Sequence, residues 1–295
     1  MNDYHTGYVS IIGRPNVGKS TLLNFLLEQK LSIVSRKPQT TRYNLLGIKT
    51  TSNCQIIYID TPGLQKKPGL ALNRYMNREV INALSHVDII LFVVEALHWN
   101  ELDDNVVSVL GNIKTKILVL INKTDKLINK KELLPFIEKI NSKLDVLDII
   151  PISAKKGEGV GKLEEFIYQN LPKGPAIFSE SSITDRSERF FAAEFLREKL
   201  MSRLGEEIPY RLTITIDSFQ DIDNIYHIHA SIWVEKPGQK AIVIGKQGRI
   251  LKAAGQEARL DLEKLFGKKV NLKTWVKVKN KWTDSEQALK QFGYQ

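Results

Sequence analysis

The chain has 295 residues, of which 42% are hydrophobic and 26% charged, with a net charge of +10 and one cysteine. That composition suits a globular protein large enough for two cores, and it excludes a fibrous or low-complexity chain. A lone Cys54 excludes an intramolecular disulfide and reads as a small buried hydrophobe, and no apolar run is long enough to span a bilayer.

Seven residues precede the first expected strand, Tyr8–Ile12, which leaves no room for a signal or transit peptide. Gly13-Arg-Pro-Asn-Val-Gly-Lys-Ser20 follows, then a helix-spaced run from Ser20 to Gln29. This strand, glycine-rich turn and helix start match the phosphate-binding pattern G-x-x-x-x-G-K-[ST]. The turn offers Gly13, Asn16, Val17, Gly18, Lys19, Ser20 and Thr21 as its nucleotide-binding residues. Backbone N–H groups and the helix N-terminus would face an anion. Lys19 would reach the β- and γ-phosphates and Ser20 would ligate Mg²⁺.

Further strands are expected at Asn44–Thr50, Gln55–Ile59, Asp88–Val94, Lys116–Ile121 and Asp148–Ile152, separated by helices near Leu70–Ser85, Asp103–Asn112, Lys131–Leu144 and Val160–Asn170. Alternation of this kind predicts an α/β domain with a mixed, mostly parallel sheet and ligands at the strand carboxyl ends. Three motifs fall at such ends. Asp60-Thr-Pro-Gly63 supplies an acid for the metal and a glycine N–H for a γ-phosphate. In Asn122-Lys-Thr-Asp125, the Asp125 carboxylate can accept from the N1–H and 2-amino groups of guanine, which adenine lacks. Asn122 would face the N7 side of the base and the Lys123 stem would lie over the ring. Ser153-Ala-Lys155 completes the base site, with the Ala154 N–H aimed at guanine O6.

These four motifs in this order resemble a Ras-like GTPase domain of the translation-factor class, over about the first 170 residues. The resemblance implies a mobile loop, here Ser32–Tyr43, with a threonine that binds Mg²⁺ and senses the γ-phosphate. Thr41 is that residue, with Thr40 as the fallback. Lys19, Thr41 and Gly63 are then the catalytic set, and Ser20, Thr41 and Asp60 the metal set. One departure matters: where Ras-type enzymes place a water-orienting glutamine after Asp-x-x-Gly, this chain has Leu64, with Gln65 out of register. Slow intrinsic hydrolysis follows. The resemblance also sets Asn16 where related bacterial GTPases use an asparagine beside K⁺; a plain turn-forming Asn is the alternative.

Leu171-Pro-Lys-Gly-Pro175 breaks the pattern, so the reading divides the chain into a GTP-binding domain (1–172), a linker (173–184) and a second domain (185–295). The second domain begins with a helix over Arg186–Leu204 and two strands, Pro209–Ile216 and Ile225–Glu235. Ile244-Gly-Lys-Gln-Gly-Arg249 stands before a helix to about Phe266, and a strand over Val270–Lys279 and a short helix follow. Between Lys236 and Lys281 thirteen Lys or Arg face only Glu257, Asp261 and Glu263, a net +10 that equals the charge of the whole chain. Such a patch points to a phosphate backbone. His227 and His229 alternate on a strand and read as surface or packing residues, and Trp275 reads as core.

G-x-x-G within an α-β-β-α-α-β order resembles an α+β type II KH domain, whose bare loop lies against RNA. Ile244, Gly245, Lys246, Gln247, Gly248 and Arg249, with Lys273, Lys277 and Lys279, are the expected RNA-binding residues. A Ras-like GTPase domain followed directly by one KH domain resembles the Era family. That resemblance implies a GTPase with GTP, GDP and Mg²⁺ as ligands, and K⁺ as an open addition. It implies GTP-controlled binding near the 3′ end of 16S rRNA, assistance to 30S assembly on the pre-30S subunit, no DNA, a monomer, and a bacterial cytoplasmic location. Peripheral contact with the inner membrane through the basic patch stays open. An RNA chaperone or tether with a structural nucleotide is the alternative. A tRNA-modifying GTPase would need a further domain.

Overall fold

The computed structural model describes residues 4–65, 69–205 and 207–294. Contacts divide the chain into one unit of Met1–Ser32, Thr41–Pro68 and Met76–Asp185 and another of Ile33–Thr40, Gly69–Tyr75 and Arg186–Gln295. Two short pieces of the expected GTP-binding domain therefore belong to the second unit. Residues 173–184, expected as a linker, are tied into the first. The Gly174 N–H donates to Tyr4 O at 3.0 Å and the Ile48 N–H to Ile183 O at 2.9 Å. Ile177 and Phe178 both donate to Gln55 Oε1 at 2.8 Å.

The first unit holds strands β1 (His5–Ile12), β2 (Leu45–Thr50), β3 (Cys54–Asp60), β4 (Ile89–Glu95), β5 (Lys116–Asn122) and β6 (Asp148–Pro151), in the order β2-β3-β1-β4-β5-β6. Only β2 runs antiparallel to its neighbour. β3 is buried at every residue and β4 at all but its last, as continuous apolar runs require in a parallel sheet covered on both faces. The helices are α1 (Lys19–Leu26), α2 (Ala71–Leu84, of which the part from Met76 on belongs to this unit), α3 (Glu101–Leu110), α4 (Leu133–Asn141) and α5 (Val160–Asn170). Phe92, Val94 and Val119 share one core with Val80, Val106 and Phe136 from α2, α3 and α4. Parallel pairing of β1, β3, β4, β5 and β6 brings the carboxyl ends of β1, β3, β5 and β6, and so the four motifs, to one edge.

The second unit is built from α6 (Glu188–Arg203), β7 (Thr213–Ile222), β8 (Ile225–Val234), α7 (Pro237–Ile244), α8 (Arg249–Phe266), β9 (Lys269–Val278) and α9 (Glu286–Gln291). Its sheet runs β7-β8-β9, with β7 antiparallel and β9 parallel to β8. Leu196, Leu200, Ala254 and Ala258 of α6 and α8 pack on Ile214, Ala230, Ile232 and Val276. The first strand differs from its expected span. Ile208–Arg211 is a 3₁₀ turn started by Pro209, and the strand continues through polar residues to Ile222. Asp223 and Asn224 then turn it back with φ of 51° and 61°, as a two-residue hairpin needs.

Residues 33–40 lie along α6. The Val34 N–H donates to Glu198 Oε1 at 2.8 Å, and Lys37 Nζ donates to Leu204 O. Arg197, 1% exposed, donates to Glu194 and, at 2.5 Å, to Thr40 O. Removing one member of a buried ion pair costs about 3–5 kcal/mol, because the other charge is left uncompensated. Arg197→Met should lower the stability of this unit by about 3 kcal/mol. Denaturant unfolding followed by tryptophan fluorescence measures it, and a loss under about 1 kcal/mol would remove the residue from this role.

Candidate functional site

The turn between β1 and α1 is shaped by its neighbours. Gly18 has φ of 105°, and a Cβ there would lie 2.3 Å from Asn122 Nδ2. Asn122 Nδ2 in turn donates to Val17 O at 2.7 Å, so the base-side motif braces the phosphate-side one. Lys19 is buried; its Nζ donates to Gly13 O at 2.9 Å and Arg14 O at 3.0 Å. Burial lowers its ammonium to about 8, against the pull of the Asp60 charge. Arg14, which the motif does not specify, bonds Asp103 Oδ2 and Glu95 Oε2 and fixes the outer wall of the loop.

Oxygens converge on Asp60. Its Oδ2 accepts from Ser20 Oγ at 2.7 Å, Ser32 Oγ at 2.6 Å and Thr41 Oγ1 at 3.4 Å, and Ser20 and Thr41 lie 2.9 Å apart. Asp60 Oδ1 is buried without a hydrogen-bond partner. Burial raises this carboxyl, against the three hydroxyl bonds and Lys19. An orphaned carboxylate oxygen among hydroxyl oxygens is a donor set that fits Mg²⁺. The structure thus brings together Ser20, Thr41 and Asp60, while Thr40 Oγ1 turns away to Lys37 O at 2.7 Å. Ser32 joins them, a residue sequence reasoning placed only at the loop's edge. No group of three His, Cys, Asp or Glu that could hold a metal occurs among the described residues.

Gly63 lies against the phosphate loop, where a Cβ would be 2.7 Å from Pro15 Cγ. Leu64 is buried in the core of Phe92 and Val94. Gln65 is held locally: its N–H donates to Asn77 Oδ1 and its Nε2 to Gly63 O, both at 2.9 Å. Asn16, in the left-handed region with φ of 65°, is exposed.

At the base site Ser153 Oγ donates to Asp125 Oδ1 at 2.7 Å, and that bond holds the carboxyl below its usual range. Lys123 pairs with Glu95 at 2.9 Å. Burial alone would raise Glu95, but the bonds and charges of Lys123 and Lys126 outweigh it and hold it low. The Ala154 N–H donates to Asn122 Oδ1 at 2.9 Å. Asn122 is accordingly a brace for both loops. Lys155 is exposed beside them.

In the second unit Gly245-Lys-Gln-Gly248 joins α7 to α8. Gly248 has φ of 75°, with open space where a Cβ would stand. Lys246 and Arg249 are exposed on either side. A cavity of about 330 Å³ continues from Gly248 along Leu251, Lys252 and Arg259 of α8 to Leu272 and Thr274 of β9. Sequence reasoning missed these five, because they gather from a helix and a strand. Ile244, expected in the groove, is half-buried and packs against the core. Lys273 and Lys277 have the opposite parity on β9 to Leu272 and Thr274 and lie on the other face of the sheet. Lys279, past the strand's end, bonds Gln291 and sits over Phe292. Trp275 is not core but 46% exposed, whereas Trp282 is fully buried and donates to Arg211 O at 3.1 Å.

A phosphate loop, an oxygen-lined cation site and a guanine-reading carboxylate at one sheet edge define a P-loop GTPase, here carrying a GxxG unit of KH type. Comparison with known proteins agrees. Residues 8–123 match the family of 50S ribosome-binding GTPases and residues 207–283 the KH domain family. GTPase Era of Coxiella burnetii is 53% identical over 295 residues, covering 100% of both chains. GTPase Era of Pseudomonas aeruginosa is 50% identical over 288 residues, 98% of this chain and 94% of that one. The crystal structure of a variant of Aquifex aeolicus Era bound to GDP·AlF₄⁻ superposes with a TM-score of 0.94 at 39% identity, covering 98% of this chain and 99% of that chain. Era in complex with MgGDPNP and nucleotides 1506–1542 of 16S rRNA also gives 0.94 at 39%, covering 99% of both. The chain belongs to the Era GTPase family.

Two outcomes check this site. Asp125→Asn replaces an acceptor with a donor facing the N1–H and 2-amino group, and should weaken GTP binding about 10⁴-fold in a competition assay. A phosphate beside Lys19 raises its ammonium above about 8. GTP affinity should therefore be level below about pH 8 and fall by up to about tenfold per pH unit above it. Calorimetry in buffers of different ionisation enthalpy should show proton uptake there.

Proposed function

We propose that this GTPase uses bound GTP to control binding of the 3′ region of 16S rRNA in its GxxG groove, and so assists 30S assembly on the pre-30S subunit. The observation that carries the nucleotide half is the Asp60 cluster; the relative holding MgGDPNP and a 16S rRNA fragment supports the RNA half.

Ser20, Thr41 and Asp60 would hold Mg²⁺, which neutralises charge on the β- and γ-phosphates. Lys19 stabilises charge developing on the transferred phosphoryl group. The Gly63 N–H faces the γ-phosphate. The Leu64 side chain is in the core, so it orients no water, and hydrolysis stays slow until a partner supplies that function. Ser32 and Thr41, both on Asp60, flank residues 33–40, which lie along α6. Loss of the γ-phosphate releases Thr41 and with it the order of that segment.

The protein works in the bacterial cytoplasm as a monomer, and it does not bind DNA. Any membrane contact is peripheral, through basic side chains; among the described residues no helix is long and apolar enough to cross a membrane. K⁺ beside Asn16 is part of the proposal, although its left-handed turn already accounts for an asparagine there.

Single-turnover GTP hydrolysis with and without RNA of the 16S 3′ end tests the coupling. Stimulation by RNA, lost in Gly248→Asp, is expected. RNA binding without any change in rate would favour the tether reading, in which the nucleotide is structural. In the same assay K⁺ in place of Na⁺ should raise the rate; an unchanged rate removes K⁺ from the account.

A further inference from the structure

The second unit has a sheet face that the GxxG groove does not use. α6 and α8 cover the side formed by Ile228, Ala230 and Ile232 of β8 and Val270, Leu272 and Val276 of β9. Alternate residues point the other way. On β9 these are Lys269, Asn271, Lys273, Trp275 and Lys277, and on β8 they are His227, His229, Ser231 and Trp233, paired row by row. Lys269, Asn271, Lys273, Trp275 and Lys277 are all exposed.

The chemistry of this face is specific. Trp275 is flanked two residues away on either side by lysines, and its ring meets that of His229 edge-on at 5.3 Å. Lys277 Nζ sits 5.2 Å from the Trp233 ring centroid and 3.4 Å from Asp217 Oδ2. Aromatic rings between cations on a flat strand surface are what sequence-tolerant stacking of unpaired bases uses. Trp275 is 46% exposed between lysines of its own strand, so its ring is open to a stacking partner.

We infer that this outer face, centred on Trp275, is a second RNA-binding surface, which stacks an unpaired base on Trp275 while Lys273 and Lys277 meet its flanking phosphates. The inference rests on the proposed rRNA reading. A GxxG loop clamps about four nucleotides, and the RNA held by the related structure spans nucleotides 1506–1542. RNA of that length continues well beyond one groove. Asn271, His227 and His229 make the face polar between its rings, which suits bases and phosphates better than lipid chains.

The test uses the full chain and two RNAs: the whole 1506–1542 segment, and a short 3′ oligonucleotide of about four nucleotides, the length that a GxxG loop clamps. Trp275→Ala should weaken binding of the long RNA about tenfold, the effect of one lost base–aromatic stack, and leave the short one unchanged. Trp275→Phe should retain most of the affinity. Lys273→Gln should reduce the slope of log affinity against log salt by about 0.7 for the long RNA only, one phosphate contact on a single strand. Gly248→Asp should weaken both RNAs. Circular dichroism and melting of each variant report folding. Equal affinity of folded Trp275→Ala and wild type for the long RNA would overturn the second surface and leave the groove reading standing. Failure of the wild type to bind either RNA would overturn both. Loss of binding to phosphatidylglycerol vesicles, with RNA affinity unchanged, would assign the face to a membrane and overturn the proposal.

Discussion

The buried Asp60 carboxylate is the constraint on which the first unit's site depends. Three hydroxyls from three places in the chain, Ser20 on the helix start, Ser32 before residues 33–40 and Thr41 after them, bond one of its oxygens. Its other oxygen is buried without a partner. A carboxylate in that setting is costly unless a cation or further donors complete it. The fold therefore holds a place for positive charge where the phosphate loop and the loop of residues 32–41 meet. Lys19, also buried, is the complementary charge, and burial shifts both groups toward their neutral forms.

The same anchoring ties nucleotide chemistry to the rest of the chain. Ser32 and Thr41 bracket residues 33–40, whose backbone takes hydrogen bonds to and from Glu198 and Arg197 of α6. α6 packs with α8, and α8 begins at the GxxG turn and lines its groove. The segment is thus fastened at its ends by Ser32 and Thr41 and along its length by α6. Base selection is set apart from this: Asp125 is oriented by Ser153, while Asn122 holds the base loop to Val17 and Gly18.

The parts of this account that were legible in the sequence are those where chemistry needs contiguous residues. The phosphate loop, Asp60-Thr-Pro-Gly63 and Asn122-Lys-Thr-Asp125 each place backbone and side chain within a few positions at a strand end, and all three fold as read. Parts assembled from distant elements were not legible. Leu251, Lys252, Arg259, Leu272 and Thr274 meet only because α8 crosses β9. Charge and alternation mark Lys273 and Lys277 for RNA, and their parity sets them on the sheet face opposite Leu272 and Thr274. Parity also places Trp275 with the lysines; hydrophobicity argued for the core, and the parity prevailed. Trp282 is buried by Phe292 and Tyr294, contacts that no local pattern shows. The first KH strand was read too early because Pro209 and its apolar neighbours look extended, yet they form a turn.

Coupling between the two ligands is the central claim, and binding linkage tests it most directly. Affinity for RNA of the 16S 3′ end should be measured with a non-hydrolysable GTP analogue and with GDP, in the wild type and in Thr41→Ala. The account predicts tighter binding with the analogue by about fivefold or more, a coupling of about 1 kcal/mol. That difference should vanish in Thr41→Ala, where residues 33–40 lose one of their two anchors on Asp60. Equal RNA affinity in the two nucleotide states of the wild type would contradict it, and would leave a GTPase and an RNA-binding unit that share a chain without sharing a switch.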